Sequence, residues 1–159
     1  MRKAVIIAWL VSVLLLCGFV ALFLADKYLA ANNKIVDSLG EYQSEERFTS
    51  GGFLNYTDYE KYTYNDIDFS ENEYFERINF ASKKKLLTYI ETFEAWIASI
   101  EKDDPENEIV VGYDFDTALI SEEDYIYISN GSDDYVSGLS DVYVFDMETM
   151  TLYHFRNNM

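Results

Sequence analysis

Ser82 to Glu101 reads SKKKLLTYIETFEAWIASIE, and its spacing decides the fold class. Leu86, Ile90, Phe93, Ile97 and Ile100 recur at intervals of 4, 3, 4 and 3, and Leu87, Tyr89 and Trp96 widen the stripe. That is the pattern of a helix with one face on a core. Ser82 is the expected N-cap, its hydroxyl accepting from free backbone amides of the first turn. Lys83, Lys84 and Lys85 at the start and Glu101 at the end oppose the helix dipole. Each misplacement costs a few tenths of a kcal/mol. Burying five large apolar side chains contributes about 1.5–3 kcal/mol apiece, so the helix holds. Asp103-Asp104-Pro105 ends it, because the residue before a proline is pushed out of the helical region.

The sequence beyond this helix is strand-like. Ile109–Phe115, Tyr125–Ser129, Val142–Met147 and Thr151–Arg156 are short, β-branched and aromatic, with turn residues between them. Only Glu148, Thr149 and Met150 separate the last two, which predicts a tight hairpin. Asn130-Gly131 and Gly138 mark the turns of a longer connection. Before the helix, tyrosines alternate with charged residues from Phe53 to Phe69, as in a hairpin or an edge strand, and Glu73–Phe80 leans towards a strand. Short connections favour antiparallel neighbours. The expected fold is α+β, one long helix on an antiparallel sheet of four or five strands.

Ala4 to Ala25 (AVIIAWLVSVLLLCGFVALFLA) is a different material: 22 residues without a charge. As a helix it is about 33 Å long, enough to span a bilayer core of roughly 30 Å. Arg2 and Lys3 precede it, so the N-terminus, residues 1–3, is expected in the cytoplasm and residues 26 onward outside. A secretory signal has a shorter apolar centre and a small-x-small cleavage site. Cleavage after Ala25 or Ala30 would place Phe23 or Tyr28 where a small residue belongs, so a retained anchor is preferred to a cleaved signal. Cys17 follows Leu16 rather than a small residue, which argues against lipid attachment and for an apolar helix position. Ala4-Ala8-Ser12 and Cys17-Ala21-Ala25 have the small-xxx-small spacing that brings helices together, a common pattern in any alanine-rich span. Residues 26–39 continue as a stalk helix with Leu29, Val36 and Leu39 on one stripe, Gly40 stops it, and Glu41–Gly52 reads as linker. The domain is then 53–159.

All 29 acidic and 10 of the 12 basic side chains lie beyond residue 25, a net charge of −19 for that part. This argues against nucleic acid and anionic lipid as partners, since both demand basic patches. The 14 Tyr and 11 Phe supply a core that acidic disordered chains lack. With no cysteine past Cys17, no disulfide can brace the domain.

Nothing in the sequence names a chemistry. His154 is the only histidine, which excludes multi-histidine metal sites; it shares a strand face with Leu152 and Arg156 and is expected to be a sheet residue rather than a catalyst. Asp66-x-Asp68-x-Ser70 opens like a calcium loop and then fails, with Glu71 at the glycine position and Arg77 at the twelfth. Glu122-Glu123-Asp124 and Asp133-Asp134 are read as solvated turns. No catalytic, cofactor-binding or metal-ligating residue is therefore assigned. Tyr113, Tyr125, Tyr127, Tyr143 and Tyr153 exceed what one helix can cover, and exposed tyrosine suits contact with a protein or carbohydrate. The expectation is a single-pass membrane protein whose outer domain is a binding or accessory module. A membrane-tethered hydrolase using acidic side chains, or a secreted domain, is the alternative.

Overall fold

A computed structural model describes residues 9, 12, 13, 16, 18, 34–52, 56–129 and 140–158. The chain divides into two compact units, Met1–Gly40 and Glu41–Met159.

In the first unit the described residues up to 37 are helical, and Trp9 and Leu16 are largely exposed. Val36 and Leu39 of the expected stripe are buried, and Gly40, at φ 86°, takes a left-handed turn that suits glycine. Among the described residues no helix is long and apolar enough to cross a membrane. Most of the expected span Ala4–Ala25, Cys17 included, lies outside the described residues.

The second unit is α+β. In chain order it contains β1 (Ser44–Gly51), β2 (Tyr56–Thr63), β3 (Glu76–Arg77), α1 (Phe80–Asp103), α2 (Glu108–Gly112), a 3₁₀ turn (Thr117–Leu119), β4 (Tyr125–Ile128), β5 (Ser140–Asp146) and β6 (Thr151–Asn158). The strands form one antiparallel six-stranded sheet in the order β1-β2-β6-β5-β4-β3. Two expectations are corrected here. The stretch expected as linker, Glu41–Gly52, supplies edge strand β1, and the sheet has six strands rather than four or five. A charged edge strand reads as polar linker because its exposed face and rim discourage pairing with other chains.

Helix α1 starts one turn earlier than expected from Ser82. Asn79 is the N-cap, its side chain accepting from the amides of Ala81 and Ser82, while the Ser82 hydroxyl accepts from the Asn79 amide. Ser82 is thus the reciprocal half of a capping box. The C-terminus falls at Asp103 as expected, and Lys102 in the last turn offsets part of the unfavourable dipole placement. Leu86, Ile90, Phe93 and Ile97 are buried against Tyr59 of β2, Phe155 of β6, Val142 and Val144 of β5 and Ile126 of β4. Trp96 stays at the rim and Ile100 is half-buried.

Ile109–Phe115, expected as a strand, is a short helix followed by an extended segment. Asn107 caps α2 by accepting from the Ile109 amide, and Gly112 ends it under the ring of Phe48. A Cβ at 112 would collide with that ring, so the close approach requires glycine. Helix α2 also guards the sheet edge: Glu108 Oε1 accepts from the Thr49 amide at 3.1 Å, occupying an outward-facing donor of β1. The β5–β6 hairpin forms as expected, with Asp146 opposite Thr151 and Met150 at φ 55° in the turn.

Candidate functional site

Alternation in a strand sends neighbouring residues to opposite faces. Tyr59, Phe155 and Val142 therefore face α1, and the residues beside them face the other way. On that second face the register sets Arg47, Glu60, His154 and Tyr143 opposite one another across β1, β2, β6 and β5. The next row holds Asp58, Arg156 and Asp141.

His154 sits at the centre, 1 % exposed. Its Nδ1 lies 2.9 Å from Glu60 Oε2 and its Nε2 lies 3.0 Å from Asp141 Oδ1. A neutral imidazole has one N–H and one lone pair. With a carboxylate at each nitrogen, both hydrogen bonds form together only when the ring is an imidazolium and each nitrogen donates. Tyr143 stacks on it with centroids 4.1 Å apart and planes 3° from parallel, a favourable seat for a cation. The carboxylates are themselves saturated. Glu60 accepts from the Tyr62 hydroxyl at 2.7 Å and pairs with Arg47 Nε at 2.7 Å. Asp141 accepts from Arg156 Nε at 2.7 Å and from the Ser129 hydroxyl at 3.3 Å. Arg156 also reaches Asp58 at 3.4 Å. With His154 protonated, three carboxylates face three cations.

The ionisations follow this geometry. Burial opposes the charge on His154, but its bonds to Asp141 and Glu60 and their charges outweigh burial and raise its pKa above the ordinary 6.5. Burial likewise pushes Glu60 and Asp141 up, and the hydrogen bond and charge of His154, with the neighbouring arginine, win, so each is held at about 2. An imidazolium with both N–H groups committed has no lone pair with which to take a proton from a substrate. As arranged, the site holds strands together.

The remaining candidates fall elsewhere. Asp68 accepts from the Ser70 amide in a local turn. Asp124 is buried: its two oxygens accept from the amides of Ser121 and Met147, fastening the loop before β4 to the β5–β6 turn. Glu122 and Glu123 are exposed, and Asp133-Asp134 lies outside the described residues. Among the described residues no group of His, Cys, Asp and Glu is placed to hold a metal ion. An opening of about 10 Å³ between Phe115, Val144, Tyr153 and Asp146 is no larger than one water molecule needs. Tyr143 is fully buried, Tyr113, Tyr125, Tyr127 and Tyr153 are half-buried, and among the described tyrosines only Tyr42 is exposed.

Sequence reasoning placed His154 beside Arg156 on one face but missed Glu60, Asp58 and Asp141. The available signal was the alternate pair Asp58 and Glu60 within YTDYEKY, hidden among exposed-looking tyrosines. Comparison with protein-family models, with curated proteins and with solved structures finds no match.

Proposed function

We propose that the chain is a single-pass membrane-anchored module whose acidic α+β domain lies outside the cytoplasm and acts by binding a protein partner rather than by catalysis. The observation that carries this reading is the mutual saturation of the His154, Glu60 and Asp141 side chains, which ties the most reactive groups of the domain to one another. The uncharged Ala4–Ala25 stretch behind Arg2 and Lys3 supports the anchor and its orientation, and exposed Trp9 and Leu16 suit a lipid environment. Exposed Tyr42 and the half-buried Tyr74, Tyr125 and Tyr127 offer contact area at low conformational cost. Two measurements on intact cells test the proposal. Added protease should cut the acidic domain before the envelope is breached, and crosslinking should trap the chain with a protein partner. A domain protected until lysis overturns the orientation, and a chain recovered only uncrosslinked overturns the binding role.

A further inference from the structure

On the sheet face away from α1, the charges of Glu60, Asp58 and Asp141 are matched by Arg47, Arg156 and His154 only when His154 is protonated. Facing His154 are Glu60, Asp58 and Tyr62 from β2, Asp141 and Tyr143 from β5, Arg156 from its own strand, and Arg47 from β1 with Glu45 beside it at 3.6 Å. Tyr89 of α1 approaches the same strand through the Phe155 carbonyl. Burial raises Tyr62, Tyr89 and Tyr143, so these hydroxyls keep their protons. The arginines stay charged at any ordinary pH. His154 is then the group whose titration changes the charge of the face near neutrality.

We propose that Glu60, His154 and Asp141 form a proton-dependent clamp across β2, β6 and β5, closed by the imidazolium and released when the ring loses one of its two N–H protons. In the closed state one ring bonds two neighbouring strands at once, with no other polar link at its nitrogens. In the released state one nitrogen must turn a lone pair towards a buried carboxylate about 3 Å away, and that carboxylate loses its compensating charge.

The sign follows by linkage. A histidine raised in the fold contributes fully below its unfolded value of 6.5 and loses that contribution as pH rises through its folded value. Glu60 and Asp141, lowered from 4.5 and 3.8, contribute fully above those values and lose the contribution as pH falls towards about 2. The clamp is therefore strongest between about pH 4.5 and 6.5, in mildly acidic surroundings, and opens on the alkaline side. This device is independent of the proposed binding role.

The chain has one histidine, so histidine-selective ¹⁵N labelling of the full chain in detergent micelles yields two side-chain nitrogen signals. Both should report a mostly protonated ring at pH 6.5, where a free imidazole is half neutral, converting as the pH rises further. The thermal midpoint of the sheet should fall over the same interval. Glu60→Gln should move the conversion down by roughly one pH unit or more, and His154→Gln should remove the step in thermal midpoint. A neutral ring at pH 6.5, or the same alkaline step in His154→Gln, overturns the proposal. If neither variant folds, the state of the wild-type ring at pH 6.5 decides the question alone.

Discussion

Asp141→Asn keeps the shape of the side chain and removes one buried charge. Asp141 is 6 % exposed and accepts from His154, Arg156 and Ser129, so solvent cannot replace what is lost. Two routes give the magnitude. A carboxylate held at about 2 instead of 3.8 is favoured in its charged form by about 2 kcal/mol. Breaking a buried pair by removing one partner costs about 3–5 kcal/mol, because the other charge stays behind. A central value of about 3 kcal/mol is a large share of the 5–15 kcal/mol that holds a typical domain together. At about 4 °C per kcal/mol it lowers Tm by roughly 12 °C. Thermal unfolding of both proteins by near-UV circular dichroism measures the difference. The gap should be full above pH 3.8 and close as pH falls towards about 2, since protonation then does to the wild type what the substitution does to the variant. Equal midpoints at pH 6, or a gap that widens in acid, would refute the reasoning.

Gly112→Ala should drive the Phe48 ring off its seat and cost about 1–3 kcal/mol, seen as an earlier urea midpoint at unchanged slope. Asn79→Ala removes the acceptor of two amides at the start of α1 and should cost about 0.5–2 kcal/mol by the same measurement. Met150→Gly should stabilise the hairpin by up to about 1 kcal/mol, because φ 55° is unfavourable for a side chain and free for glycine; a lower midpoint would mean that Met150 packing outweighs the strain.

Local patterns explain what the sequence revealed. The 4-3-4-3 spacing in α1, the proline after Asp104 and the short gap between β5 and β6 each act within a few residues, and each appears in the fold close to where it was expected. What failed depended on distant partners. Ile109–Val111 has the composition of a strand, yet Asn107 caps a helical turn there and Phe48, from the far end of the domain, packs on Gly112. Polar Ser44–Gly51 looked like a connector because an edge strand exposes most of its side chains. The His154 network was illegible for the same reason. Glu60 is 94 positions away in sequence, and only the β2–β6 register sets the two opposite each other.

That register also imposes an order in time. β6 is the last strand of the sheet in the sequence, yet it lies between β2 and β5. Until it arrives, the β1–β2 hairpin and the β3–β4–β5 half each present an open, hydrogen-bond-hungry border, and α1 has nothing continuous to rest on. A chain delivered N-terminus first must therefore wait, partly assembled, for its final strand, the stage at which unfinished sheets are most prone to stick to one another. The strand that closes the domain also carries His154, so the keystone and the proton arrive together.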